Sequence, residues 1–369
     1  MTLTLLLIAV LFLAYTNGAN DNFKGVATLF GSRTAGYRQS LLWGTLTTFA
    51  GSLTALRISQ GLVKAFSGNG LVPASVAADP TFLLAVGLGA AFTVFLATVT
   101  GFPISTTHAL TGALVGAGWM AAGPQVNLGK LGQAFFLPLA ASPLLSLGLT
   151  SLLYPMFRRV REAVGVRKQL CLCVGPAREP VMIQQGGVAI LLSTGARLTV
   201  GELSQCVEQY QGVLLGIDAQ RVLDLLHYLS AGAVSFARGL NDTPKIVALL
   251  IAAQALHVDA KAGLFLVGAA MAVGGILSAR RVACTMSERI TAMNHGQGFT
   301  ANLVTSLLVT AASRFGLPVS TTHVSCGALF GIGLTNGAIR RGVAQSIVLS
   351  WLITLPLAAC LAAALYRFF

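Results

Sequence analysis

Apolar stretches recur along almost the whole chain, at residues 2–15, 40–56, 82–99, 104–121, 131–154, 222–237, 246–256, 263–279, 299–313, 319–335 and 345–366. Several approach the roughly 20 residues that a helix needs to cross a bilayer, and others fall well short. In hydrocarbon every backbone N–H and C=O must be satisfied within the protein, so spanning segments are helices or closed barrels. Barrel strands alternate apolar and polar residues, and these stretches do not. The short ones are expected to be parts of broken or re-entrant helices. Charged residues make up only 9% of the chain, against about 25% in soluble domains, too few to cover a soluble surface. The expected class is an all-α polytopic membrane protein.

The formal net charge of +13 would suggest nucleic acid in a soluble domain. Here no nucleic-acid partner is expected, because the basic residues gather at the ends of apolar stretches. They are Arg33 and Arg38, Arg57, Arg158 with Arg159 and Arg161, Arg280 with Arg281, and Arg340 with Arg341. Lipid headgroups and the positive-inside bias favour those places. Arg280-Arg281 reads as a headgroup anchor or as a basic funnel for anions. No Lys or Arg precedes the first stretch, so it lacks the basic start of a secretory signal, and the N-terminus is expected outside. The six cysteines form no framework. Cys284, Cys326 and Cys360 are expected to pack as small hydrophobes. Cys171, Cys173 and Cys206 lack the spacing of a structural zinc site, and no cofactor is expected.

The chain is a duplication. Gly18-Ala19-Asn20-Asp21-Asn22-Phe23-Lys24 matches Gly239-Leu240-Asn241-Asp242-Thr243-Pro244-Lys245 at an offset of 242 − 21 = 221. Gly101-Phe102-Pro103-Ile104-Ser105-Thr106-Thr107-His108 matches Gly316-Leu317-Pro318-Val319-Ser320-Thr321-Thr322-His323 at 320 − 105 = 215. Gly112, Gly116 and Gly118 recur as Gly327, Gly331 and Gly333 at that second offset, and their spacing suits close helix packing. The expected organisation is a transmembrane repeat over 1–155, a small cytosolic insertion over 156–221 and a second repeat over 222–369. The repeats are inverted if each half crosses an odd number of times. In the insertion, Val181–Ile183 and Val188–Leu192 flank Gln-Gln-Gly-Gly as a β-hairpin would, and Thr199-x-x-Glu202 resembles a capping box opening a helix.

Duplicated halves with interrupted hydrophobic segments are the mark of a secondary transporter. Outside the insertion the acids are Asp21, Asp79, Asp224, Asp242, Asp259 and Glu288. Asp79 precedes a proline and Asp259 sits in a polar link, so both are expected in solvent. Asp21 and Asp242 are repeat equivalents, each at the end of an apolar helix, where a carboxylate marks function. Each has a lysine three residues on, Lys24 and Lys245, placed to share a helix face as an ion pair. Pairing alone does not explain an Asn-Asp break in both copies. Carboxylate and amide oxygens beside freed carbonyls at Asn20, Asp21, Asn241 and Asp242 suit a sodium ion, or the acids could carry protons.

The second element suits an anion. Its proline starts or breaks a helix. Ser105, Thr106 and Thr107 then fill a first turn whose N–H groups lack partners and which bears the positive end of the helix dipole. Ser320, Thr321 and Thr322 repeat it, so two such turns could cradle a tetrahedral oxyanion. Ordinary helix capping is the plainer use of these hydroxyls. His108 and His323 could orient the hydroxyls, carry a proton or satisfy carbonyls.

With both paired motifs in order, the sequence resembles the inorganic phosphate transporter (PiT) family. The resemblance covers roughly 1–155 and 222–369. It implies an inverted-repeat fold with re-entrant hairpins at the S-T-T-H turns, in a multi-pass protein of a plasma or inner membrane. It implies cation-coupled symport of inorganic phosphate driven by sodium or protons, and a homodimer. By motif match it implies cation binding near Asn20, Asp21, Asn241 and Asp242, and phosphate contacts from Ser105, Thr106, Thr107, Ser320, Thr321 and Thr322. The second copy departs with Leu240 and Pro244, and the proline is expected to keep the break as a kink. Asn302 stands where eukaryotic relatives carry a Glu. A sulfate permease of the same family is the nearest alternative. A channel and an intramembrane hydrolase using Ser105 or Ser320 with its histidine are more distant, since duplication would give the hydrolase two identical sites and no third member.

Overall fold

The computed structural model describes residues 1–163, 167–169, 172–182, 189–200, 209–211, 213–214, 217–253, 256 and 259–369. Its helical part consists mainly of α1 (Thr2–Asp21), α2 (Tyr37–Ile58), α3 (Pro80–Thr100), α4 (Thr106–Ala122), α5 (Leu137–Ala163), α6 (Ala219–Ala252), α7 (Ala260–Ser278), α8 (His295–Arg314), α9 (Thr321–Asn336) and α10 (Arg341–Phe368). The first five lie in one sequence repeat and the last five in the other, in matching order. Among the described residues five helices are long and apolar enough to cross a membrane: α1, α3, α5 with the turns before it, α7 and α10. The chain is thus a helical polytopic protein. Leu144, Leu145 and Leu152 of α5 are exposed, a face suited to lipid.

The chain divides into two compact units, Met1–Phe157 with Asp224–Phe369, and Arg158–Leu223. The second unit contains strands. β1 (Arg167–Gln169) pairs antiparallel with β4 (Gln209–Gln211), β2 (Leu172–Met182) with β3 (Ala189–Val200), and β5 (Val213–Leu214) with β6 (Ile217–Asp218). The expected hairpin is therefore longer than its sequence signal, with Val181 opposite Ile190. Ile183, Val188, Cys171 and Cys206 lie outside the described residues. Thr199 pairs with Cys173 inside β3, and Glu202, the other half of the expected capping box, lies outside the described residues.

Local chemistry sets the helix ends in the helical unit. Asp79 accepts from Thr81 N (3.0 Å) with Pro80 at the first helical position of α3, and Asp259 accepts from Lys261 N and Ala262 N at the start of α7. Both acids expected in solvent are helix caps. α3 and α8 stop identically. Gly101 (φ +80°) and Gly316 (φ +67°) turn left-handed, and the next N–H, of Phe102 or Leu317, reaches back to Ala97 O or Ala312 O at 2.9 Å. Ser105 (φ −101°, ψ 113°) and Ser320 (φ −100°, ψ 115°) then cap α4 and α9. Each repeat so builds the same helical hairpin, with Ile104-Ser105 or Val319-Ser320 buried at the turn and Phe102 or Leu317 exposed beside it. Arg281 donates to Val99 O near the end of α3, so it serves that helix terminus rather than only a headgroup.

The Asn-Asp elements differ. α1 ends at Asp21, and residues 22–26 form turns before a short helix, Ala27–Gly31. In the second copy the expected break is absent. Stretches 222–237 and 246–256 merge in α6, which runs continuously with Pro244 inside it. A single proline removes only one ladder N–H, and the helix continues on either side.

Small residues bring the two repeats together reciprocally. A Cβ on Gly18 of α1 would lie 1.9 Å from Met271 O of α7, and one on Gly239 of α6 would lie 2.2 Å from Thr48 O of α2. Likewise Gly116 of α4 would meet Ala359 O of α10 at 2.0 Å, and Gly331 of α9 would meet Leu147 O of α5 at 2.7 Å. Each motif helix thus beds on a helix of the other repeat, with no room for a side chain. Gly116→Val should therefore lower stability by about 1–3 kcal/mol, as overpacking does. Gly148→Val, on an exposed stretch of α5 where nothing lies within 4 Å, should be tolerated. Thermal unfolding of the two variants in detergent, followed by intrinsic fluorescence, checks the difference.

Candidate functional site

The duplicated motifs converge on one buried cluster. Asn17, Asn20, Asp21, Lys24, Ser105, Thr106, Thr107, Arg238, Asn241, Asp242, Lys245, Ser320, Thr321 and Thr322 are all buried, and bonds between the two repeats tie most of them together.

The first copy is tightly bonded. Lys24 lies in the turn after α1, and its Nζ contacts Asp21 Oδ1 in an ion pair. It also donates to Asn20 Oδ1 (2.8 Å), Ile104 O (2.8 Å) and, across the repeats, Thr322 Oγ1 (2.6 Å). Thr322 Oγ1 in turn donates to Ile104 O at 2.7 Å. The second copy mirrors this: Lys245 Nζ donates to Val319 O (2.8 Å) and Thr107 Oγ1 (2.7 Å), and Thr107 Oγ1 donates to Val319 O (3.1 Å). Ile104 and Val319 are repeat equivalents, each directly before the capping serine. Each lysine therefore holds a carbonyl of its partner hairpin and a hydroxyl of the other.

The carboxylates are less alike. Asp21 Oδ2 accepts from Asn17 Nδ2 (3.0 Å) and Thr106 Oγ1 (3.2 Å). Asp242 is held more loosely, with Asn17 Nδ2 at 3.3 Å, Lys245 Nζ at 3.6 Å and Arg238 Nε at 3.7 Å. Its Oδ1 accepts from Asn241 Nδ2 at 3.0 Å. Arg238 is 1% exposed and its guanidinium also donates to Asn17 Oδ1 (2.8 Å), Asn22 Oδ1 (3.0 Å) and Thr48 Oγ1 (3.2 Å). Asn17 and Arg238 are themselves equivalents, since 238 − 221 = 17. They bond to each other across the repeats.

Among the described residues the buried ions are Lys24, Arg238, Lys245, Asp21 and Asp242. Three cations against two anions leave one positive charge, 3 − 2 = 1, beside the N-termini of α4 and α9. Ser105 and Ser320 are committed to capping, accepting from His108 N (3.0 Å) and His323 N (3.2 Å). Thr106 and the two third-position threonines are engaged as described, while Thr321 Oγ1 makes no hydrogen bond among the described residues. His108 Nδ1 lies 3.0 Å from Ser105 Oγ, and its ring is 4.3 Å from that of His323, which stacks on Trp351. His323 Nε2 is buried without a hydrogen-bond partner among the described residues.

A family model described as the phosphate transporter family matches residues 17–362. The chain belongs to that family. It is 28% identical to a Rhizobium meliloti protein named a probable low-affinity inorganic phosphate transporter, over 98% of this chain and 94% of that one. It is also 28% identical to the chloroplastic inorganic phosphate transporter 2-1 of Arabidopsis thaliana, over 95% of this chain and 69% of the other. A solved structure described as the sodium-dependent phosphate transporter superposes with a TM-score of 0.76, at 22% identity, over 100% of this chain and 98% of that one. At that identity the likeness concerns the fold. The family sets the chain among transporters, not enzymes.

The structure therefore brings together the residues named from both motifs, but uses several of the hydroxyls for capping and cross-bracing. The ion pairing of Asp21 with Lys24, weighed from their spacing, is present. Asn17 and Arg238 were not singled out from the sequence. Their signal was available: a lone arginine inside an apolar run, four residues before Asp242, facing an asparagine at the same place in the other copy. Asn302 bonds to Thr28 Oγ1 at 2.8 Å in a separate polar cluster with Ser230 and His227. Among the described residues no group of three or more His, Cys, Asp or Glu could hold a metal.

Arg238→Lys keeps the charge but not the fork that reaches Asn17, Asn22 and Thr48 at once. It should lower anion uptake by about tenfold or more, since losing one buried charged hydrogen bond costs ~1.5–3 kcal/mol. Initial uptake rates in reconstituted vesicles, normalised to folded protein, measure the effect.

Proposed function

We propose that this chain is a secondary transporter moving inorganic phosphate across the membrane by symport with a cation, sodium or proton. The observation that carries the reading is the surplus positive charge of the buried cluster, set against two helix N-termini contributed by the two repeats. In a water-poor interior an uncompensated cation is costly, so such a cluster favours an anion. First-turn N–H groups, the Thr321 hydroxyl and the Arg238 guanidinium supply donors for a tetrahedral oxyanion. The hydroxyls now bracing the hairpins, those of Thr106, Thr107 and Thr322, would exchange their protein partners for the anion as the hairpins part. Ser105 and Ser320 would hold the helix starts in place.

Sulfate has the same shape. The loosely held Asp242 favours phosphate, because phosphate near neutral pH still carries a proton to donate to a carboxylate whereas sulfate does not. The names of the relatives point the same way. An inverted arrangement of the two repeats belongs to this reading. The homodimer and the cytosolic place of the 156–221 insertion belong to the same reading.

Purified protein reconstituted into vesicles should take up radiolabelled phosphate when a sodium or proton gradient is imposed, with excess sulfate unable to compete. Asp21→Asn and Asp242→Asn should each abolish gradient-driven uptake while keeping the elution profile and helical circular dichroism of the parent. Driven uptake retained in both variants would remove the Asn-Asp elements from the coupling machinery. Sulfate accumulation without phosphate uptake would move the chain to the sulfate branch.

A further inference from the structure

A sodium ion at the Asn-Asp element would need the carboxylate, the asparagine amide oxygen, a freed backbone carbonyl and a hydroxyl, the oxygen set suited to a hard cation. Those oxygens are present at the first copy: Asp21 Oδ1, Asn20 Oδ1, Ile104 O and Thr322 Oγ1. All four surround Lys24 Nζ. An ammonium has three N–H donors, so a fourth oxygen in its shell is the arrangement of a caged cation rather than of three directed bonds. In the second copy Lys245 Nζ touches the equivalent carbonyl, Val319 O, and the equivalent hydroxyl, Thr107 Oγ1, with Asp242 Oδ1 at 3.6 Å.

We propose that Lys24 and Lys245 are tethered cations that fill the two places a coupling sodium would take, so that this chain carries its anion without binding sodium at either Asn-Asp element. The residues present do not fit a free ion there. At the first copy all four of these oxygens already contact the ammonium. A sodium ion beside it would set a second positive charge against the same carboxylate, with the Arg238 guanidinium bonded to Asn17, itself a partner of Asp21. At the second copy Lys245 takes the carbonyl and the hydroxyl, while Asn241 Oδ1 accepts from Ser313 Oγ (3.4 Å) and Asp242 Oδ1 from Asn241 Nδ2 (3.0 Å). The lysines also do something a free ion does not. Each is covalently part of one repeat and bonds to a hydroxyl of the other, so the brace between the hairpins is permanent charge and does not come and go with solution sodium. The inference rests on the transport reading above only for its second test, and it leaves the proton as the cation able to couple uptake.

The first test needs neither substrate nor variant. Binding of ²²Na⁺ to the purified full-length protein in detergent, measured by scintillation proximity with excess unlabelled sodium as competitor, should show no saturable component. Saturable binding that disappears in Asp21→Asn or Asp242→Asn would overturn the proposal. Lys24→Ala removes the tethered charge and leaves its oxygens lining a gap, so saturable ²²Na⁺ binding should appear in that variant if it folds. The second test is phosphate uptake into vesicles with sodium replaced throughout by N-methylglucamine. The wild type should lose no activity, and complete loss of uptake on sodium removal would also overturn the proposal. Absence of phosphate uptake under every gradient would defeat the transport reading alone, because the binding result stands without it.

Discussion

Five charged side chains buried in one membrane unit can persist only if the protein supplies every counter-charge and hydrogen bond itself. In hydrocarbon no water is at hand to rescue an unpaired group, and an isolated buried ion costs several kcal/mol or more. That requirement explains why the two repeats cannot be independent bundles. Lys24 finds its fourth oxygen on Thr322, and Lys245 finds one of its two close partners on Thr107. Arg238 finds Asn17. Each repeat is left with unsatisfied groups that only the other completes. The glycine contacts follow from the same need. Side chains as short as threonine and asparagine can span the interface only if the backbones are close, and Gly18, Gly239, Gly116 and Gly331 are where a Cβ would hold them apart.

Much of this was legible in the sequence, for identifiable physical reasons. Hydropathy gave the class because a bilayer admits few structures. The motif pairs gave the repeat, and their residue types gave hard-oxygen and helix-start chemistry at Asn20, Asp21 and Ser105 to Thr107. What sequence could not give was who bonds to whom. The hydroxyl of Thr107 faces the other repeat's carbonyl rather than open space, a contact 212 residues away in the chain. Periodicity cannot report such contacts. The missing break in the second copy has a different origin. The proline is expected to keep the first copy's break as a kink, yet α6 runs without interruption from Ala219 to Ala252 with Pro244 inside it. The break at Asp21 needs no proline at all. It coincides with Lys24 reaching Ile104 O and Thr322 Oγ1, a tertiary demand on the chain just beyond the apolar run.

Duplication produced the site, but divergence makes it work as one site and not two. At the position four residues before the aspartate, one copy carries Asn17 and the other Arg238. Two arginines there would add a second uncompensated cation to the cluster, and two asparagines would leave the cations and anions equal in number once both lysines are counted. With one of each, the amide accepts from the guanidinium through its oxygen while its nitrogen serves both carboxylates. The same inequality separates the acids. Asp21 is fixed by its lysine, Asn17 and Thr106, whereas Asp242 keeps longer contacts to its cations and Thr321 keeps a hydroxyl with no partner among the described residues. The surplus positive charge, the looser carboxylate and the unengaged hydroxyl therefore all fall on the second copy's side of an otherwise reciprocal brace. A substrate anion binding there would complete the charge balance that the first copy already reaches through its own lysine.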